Sequence, residues 1–139
     1  MSRPQNRLQL MERVGAVQFN NRLAWCSVND SERKVFFSIW TDNTYTHGDQ
    51  KGYIIQGPDW GINEATGNKE APRSDQDAKL ALVFDQGYEP FGYFIVAKDR
   101  TAFPREIEET RTSFIVRLQL ERLPDGSVFG VPSGRIEIS

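Results

Sequence analysis

Cysteine and histidine are nearly missing from this chain of 139 residues, which has one of each, Cys26 and His47. A single cysteine excludes an internal disulfide and any multi-cysteine zinc site. Its neighbours Trp25, Ser27 and Val28 mark it as a small strand residue. With one histidine, a Ser-His-Asp or Cys-His arrangement would have to use His47. That residue is read as lying in the polar turn "DNTYTHGDQKG", and no spacing brings Cys26 or a serine beside it. Metal ligation is left to carboxylates, and no acidic run has the spacing of a calcium loop. Glycine-rich phosphate cradles are absent, so no cofactor is expected. Long apolar runs are missing too: none approaches the roughly 18 residues of a membrane-spanning helix. The start, "MSRPQNRLQLMERVG", lacks the apolar centre of a secretory signal, and the expectation is a cytoplasmic protein with no membrane partner.

Positive charge is not in excess. The net charge is −2 and the pI about 5.5, which argues against broad, sequence-independent binding to nucleic acid. Arginine and lysine do gather in "NKEAPR", "AKDRTAFPR" and "RTSFIVRLQLER", with acids interleaved. Such interleaving reads first as the solvated charge of strands and loops.

The chain does have enough apolar residues for a core. Hydrophobic residues are 38% and charged residues 26%, a globular balance. No repeat or low-complexity linker divides the sequence, so one domain over 1–139 is expected, with 1–12 as a disordered or loosely packed start. The apolar period is closest to two. In "SFIVRLQLERL", Phe114, Val116, Leu118 and Leu120 alternate with Ile115, Arg117, Gln119 and Glu121. Pro124, Asp125 and Gly126 then supply the fixed φ, side-chain cap and positive φ of a tight reversal. Residues 112–122 and 127–131 are thus predicted to form a hairpin. The stretches "GAVQFN", "RLAWCSVN" and "KVFFSIWTD" read as three consecutive strands, "KGYIIQG" and "FGYFIVAKD" add two, and "GRIEIS" is a short closing strand. One helix is predicted over about 75–86, capped by Ser74 and ended by Gly87, with Asp75 and Asp77 near its positive end. "PREIEETR", residues 104–111, is either a second short helix begun by Pro104 or an extended connection. The class is α+β, mainly β: a curved antiparallel sheet or partly open barrel with one principal helix.

Two patterns suggest chemistry. Pro58-Asp59 followed by Asp77-Ala78-Lys79 is similar to the PD…(D/E)xK signature of restriction-type nucleases, in which two acids hold a metal and the lysine activates water. That signature belongs on a strand, whereas Asp77 and Lys79 fall in the predicted helix. The aromatics form the second pattern. Trp25, Trp40 and Trp60 lie on a strand, at a strand end and in the long loop from Gly57 to Arg73. In a small curved sheet, strand ends and loops meet at a rim that can hold a flat ligand. A ring stacked on a base contributes about 1–3 kcal/mol, and a nearby Asp or Asn can read the edge of an extruded base. Asp42 and Asn43 after Trp40, and Asp99 between Lys98 and Arg100, have that character. The competing reading makes Trp25 and Trp40 ordinary core aromatics, while Trp60, inside a loop, has less core to enter.

"NNRLAWCSVNDSERKVFFSIWTD", then a helix, "GYFIVAKDR" and "RLQLERLPDGSVFG" together resemble a group of small bacterial domains with a strand ending in W-x-D and a later strand ending in A-K-D. The likeness spans most of residues 14–131. More distantly, the order of elements is similar to the PUA-like superfamily, with its SRA, EVE, YTH and ASCH domains. The resemblance implies a PUA-like barrel that binds DNA or RNA, or holds a modified base in an aromatic cage, beside a nuclease or other effector in a bacterial restriction setting. Carried onto this sequence, it implies Trp40 and Asp42 as cage and edge-reading residues, Trp25 or Trp60 as a second wall, and Lys98 and Arg100 as phosphate contacts; with the residues read above, the expected base pocket is Trp25, Trp40, Asp42, Asn43, Trp60 and Asp99, and the expected phosphate contacts are Arg73, Lys98, Arg100 and Arg105. The expected function is a non-catalytic reader of a modified or flipped nucleobase. The alternative is a protein-interaction or small-molecule-binding domain with no nucleic-acid role, and the third reading a metal-dependent nuclease using Asp59, Asp77 and Lys79.

Overall fold

A computed structural model describes residues 4–16, 26–101 and 106–138. Elements along the chain are α1 (Arg7–Arg13), β1 (Cys26–Asn29), β2 (Lys34–Trp40), β3 (Thr44–His47), β4 (Gln50–Gln56), α2 (Ala71–Phe84), β5 (Glu89–Ala97), β6 (Ile107–Thr110), β7 (Phe114–Arg122) and β8 (Val128–Glu137). The fold is α+β and mainly β, as the apolar period predicts.

Eight strands make one open sheet in the order β1-β2-β5-β7-β8-β4-β3, with β6 also on β5. β6 and β7 are two halves of one bent strand. Both pair antiparallel with β5, β7 at Phe91 and Gly92 and β6 from Ile95 onward, and residues 111–113 are the extra length between them. The segment 107–110 is therefore extended rather than helical. Of the ladders, only β2 with β5 is parallel, from Lys34↔Glu89 to Trp40↔Ile95; the others are antiparallel.

The sheet rolls because its path is long and one link is short. β2 and β3 lie far apart in strand order, yet only Thr41, Asp42 and Asn43 separate them, a span of roughly 14 Å at full stretch. The two ends of the path must therefore approach. Asn43 stitches the gap: its carbonyl accepts from the Ile54 N–H at 3.0 Å and its side-chain Nδ2 donates to the Ile54 carbonyl at 2.9 Å. No ladder joins β2 to β4 among the described residues, so the roll stays open there.

Apolar residues on both faces of β2 and β5 serve two cores. Val35, Phe37 and Ile39 face inward with Cys26, Leu80, Phe94, Val116, Leu118 and Val128, and α2 covers this concave core. Tyr53 and Ile55 of β4 pack on it too, from the far end of the path. At Gly92 a Cβ would come 2.3 Å from Ile39 Cδ1, so glycine lets neighbouring strands fill the interior. Phe36, Phe91, Tyr93, Ile95 and Ile115 face outward and are covered by Leu10, Met11 and Ala16. Each such large apolar side chain contributes about 1.5–3 kcal/mol on burial.

Three local features differ from expectation. Helix α1 is packed: Leu10 and Met11 are fully buried, the Asn6 side chain caps the Gln9 N–H at 2.8 Å, and Ser27 Oγ donates to Met11 Sδ at 2.6 Å. The start of the chain is thus not loose over residues 4–13. Helix α2 begins at Ala71, not after Ser74, because Pro72 in the first turn presets a helical φ; Gly87, at φ +76°, follows its end as expected. The stretch around His47 is a strand, β3, hairpinned onto β4. The predicted β7–β8 reversal is present, with Asp125 Oδ1 accepting the Ser127 N–H at 2.9 Å and Gly126 at φ +92°. "GRIEIS" is no separate strand; most of it continues β8.

Candidate functional site

Parallel neighbours leave a sheet at the same rim. β2 is followed by Thr41, Asp42 and Asn43, and β5 by Lys98, Asp99, Arg100 and Thr101, so the two turns are juxtaposed. Their side chains meet: Arg100 Nε lies 3.5 Å from Asp42 Oδ2, and Asp42 is 13% exposed whereas Arg100 is 74% exposed. Lys98 also projects into solvent, 3.8 Å from Glu106. Trp40 is half-buried on the outer face, packed against the outer core. Asp99 shapes its own turn, accepting the Thr101 hydroxyl at 2.7 Å and the Thr101 N–H at 2.9 Å. Those two donors, the hydroxyl first, hold its carboxyl below the usual Asp range. Asn43 belongs to the seam already described. The rim thus offers an aromatic half-face, a sheltered carboxylate and two outward cations.

Trp60 and Arg73 are not at this rim. β4 runs opposite to β2 and β5, because three antiparallel ladders separate it from β5. The loop after Gln56 therefore leaves from the other end of the roll. There Arg73 acts as a clamp: Nη1 donates to the carbonyls of Trp60 at 2.7 Å and Pro58 at 3.1 Å, and Nε reaches both Asp77 carboxylate oxygens at 3.2 Å. A buried amide chain runs beside it, with Gln76 Nε2 donating to Gln56 Oε1 and Gln56 Nε2 to Asp77 Oδ1, each at 3.0 Å. Trp60 is half-buried in a loop tied further by Asn63 Oδ1, which accepts from the N–H groups of Ala65 and Thr66. Trp25 and Arg105, the remaining two expected site residues, lie outside the described residues.

The nuclease pattern does not converge. Asp77 and Lys79 are two residues apart on α2, about 200° around the helix axis. Asp77 pairs with Lys69 at 2.7 Å and with Arg73, while Lys79 pairs with Asp75 at 2.8 Å and donates to the Cys26 carbonyl at 3.0 Å. Asp59 stands exposed in the loop. Among the described residues no three metal-ligating side chains cluster. Nor is Cys26 a nucleophile: burial pushes its thiol up to about 12 against the opposing pull of Lys79, so the thiolate is scarce at neutral pH. The polar partner of His47 is Glu121, at 3.4 Å.

A second hollow escaped the sequence reading. It has a volume of about 320 Å³ and lies between the last turn of α1 and the outer face of the sheet, floored by Phe36, Phe91, Ile115, Ile136 and Ile138. The Phe36 and Phe91 rings stack with centroids 5.4 Å apart. Its signal was present in the uninterrupted apolar character of β2 and β5, which marks strands covered on both faces.

Fold and rims together define a mainly β domain whose strand-end turns carry the polar chemistry. No protein-family model, curated protein or solved structure matches this chain. A functional reading therefore rests on the chemistry of its own residues.

Proposed function

We propose that this domain is a non-catalytic reader of nucleic acid, DNA or RNA, that takes a modified or flipped nucleobase at the rim formed by Trp40, Asp42, Lys98, Asp99 and Arg100. One observation carries the reading: the parallel β2–β5 pair brings an aromatic-acid turn against a basic turn, with the acid sheltered and the cations outward. An extruded base needs a flat face and an edge partner, and its flanking phosphates need cations at the lip. Trp40 provides the face and Asp42 the hydrogen-bond acceptor. Lys98 and Arg100 take the phosphates. The net charge of −2 confines electrostatic attraction to this lip, which favours a reader of one marked position over a general binder. In the bacterial restriction or defence setting that the resemblance implies, a separate nuclease or other effector acts once the mark is read. A second reading, binding of a small molecule with no nucleic-acid role, is favoured by the hollow beneath α1.

The test is an anisotropy titration with short oligonucleotides bearing unmodified and modified bases, over a range of salt. One modification should be preferred. The Lys98→Ala/Arg100→Ala double variant should lower the slope of log K against log salt by roughly 1.4–1.8. Trp40→Leu should weaken binding by about 1–3 kcal/mol while still folding. Failure of every oligonucleotide to bind at low salt, or an unchanged slope in the double variant, would end the proposal.

A further inference from the structure

The two turns of the Trp40 rim are complementary halves. Trp40 and Asp42 belong to one tight turn, closed by the Asn43 N–H on the Trp40 carbonyl at 3.1 Å. The same turn is tied to β5, because the Thr41 N–H donates to the Ile95 carbonyl at 3.1 Å. Ring and carboxylate therefore share one frame. Beside Asp42 stands Arg100, its Nε 3.5 Å from Oδ2. The cation favours the ionised carboxyl, and an ionised carboxylate only accepts hydrogen bonds while a guanidinium only donates them. A base held there meets two acceptors followed by a donor.

The bases differ in what they set against such a row. Along its Watson–Crick edge guanine carries the N2 amine, the N1–H and the O6 carbonyl, which are two donors and then an acceptor. Adenine and cytosine each place an acceptor ring nitrogen beside their one exocyclic amine, and thymine or uracil flanks a single N3–H with two carbonyls. Each of those edges turns at least one acceptor toward the carboxylate. Asp42 is sheltered, so water gives little relief there, and an acceptor facing an acceptor is costly. The five N–H groups of Arg100 suffice for O6 and a phosphate together.

We infer that the rim selects guanine, with Asp42 accepting from N1–H and the N2 amine and Arg100 donating to O6. The inference rests on the nucleobase reading and adds the identity of the base. A mark on such a guanine lies on its N7–C8 side, because one at N1 or O6 removes the matching edge. The full chain is titrated by fluorescence anisotropy at low salt with short labelled thymidine strands whose central base is guanine, adenine, cytosine or thymine. The guanine strand should bind at least about fivefold tighter than the others. 7-Deazaguanine, with its Watson–Crick edge intact, should match guanine, whereas O6-methylguanine, which lacks the N1–H, should fall to the level of the other bases. Asp42→Asn replaces one of the two acceptors by a donor and should erase the guanine preference while the salt dependence is kept. A merely structural Asp42 would instead lower all four affinities together, which would overturn the inference. It is also overturned, with the nucleic-acid reading left standing, if the strands bind alike, if a base other than guanine leads, natural or modified, or if O6-methylguanine matches guanine. If no oligonucleotide binds, both fall. Should Asp42→Asn not fold, the two guanine analogues decide.

Discussion

At one end of the roll Arg73 is 12% exposed and bonded to four partners at once, the Gly57, Pro58 and Trp60 carbonyls and Asp77. At the other end Lys98 and Arg100 are 68% and 74% exposed, each with a carboxylate more than 3.4 Å away. Both rims combine a tryptophan, an aspartate and an arginine, yet their use is opposite. Around Trp60 the loop carbonyls find an internal donor in Arg73, and the guanidinium replaces the water that they would otherwise need. Around Trp40 the two cations project into solvent. Residue type alone does not separate a structural clamp from a candidate binding lip; the degree of internal satisfaction does.

The contrast can be broken by stability measurements. The largest expected effect is at the clamp: Arg73→Ala should destabilise the fold by about 2–4 kcal/mol, because loop carbonyls and Asp77 lose a charged donor together. Urea unfolding checks it, and a loss below about 0.5 kcal/mol would show that the loop is held by other means. Next comes Asn43, whose side chain joins the Trp40 turn to β4. Asn43→Ala removes the Nδ2 bond to Ile54 and should cost about 1–2 kcal/mol, with faster amide exchange at Ile54 if the seam is what keeps the roll closed. A third effect depends on pH. Burial alone would raise the Asp77 carboxyl, but donation from Lys69 and Gln56 and the nearby Arg73 outweigh it and hold it below its ordinary value of 3.8. A lowered folded-state value means that Asp77 contributes stability above the unfolded value, and loses it as pH falls through the folded one. The stability gap between the parent and Asp77→Asn should therefore narrow below about pH 4; a gap that stays constant on acidification would contradict the network. The smallest effect belongs to the exposed lip. Arg100→Ala should change stability by less than about 0.5 kcal/mol, and a larger loss would make Arg100 a second clamp, not a binding residue.

Much of the fold was legible locally. The β7–β8 reversal follows from Asp125 and Gly126, whose cap and positive φ depend on adjacent residues alone. The end of α2 follows from Gly87 in the same way. Helix α1 was not read from the sequence: Asn6 and Gln9 have capping-box spacing ahead of Leu10 and Met11, but a short polar start is read as loose until the sheet face that buries it is known. The start of α2 turned on Pro72, which outweighs Ser74 because it fixes φ directly. The site was only half legible. Trp40, Asp42, Lys98 and Arg100 were named from their places at strand ends, and the structure brings them to one rim. Trp60 and Arg73 were joined to them on the same logic and lie at the opposite rim.

Sequence by itself determined the near-continuous apolar runs that bury two faces of β2 and β5, the turns that reverse the chain, and the kinds of side chain at each strand end. These depend on φ preferences, period and caps, all set within a few residues. Only the tertiary structure decided which ends share a rim, because the direction of a strand relative to a neighbour forty or more residues away depends on how the intervening chain crosses the sheet. A parallel β2–β5 pair put Asp42 beside Arg100, and the antiparallel ladders between β5 and β4 carried Trp60 away. No local pattern encodes either outcome.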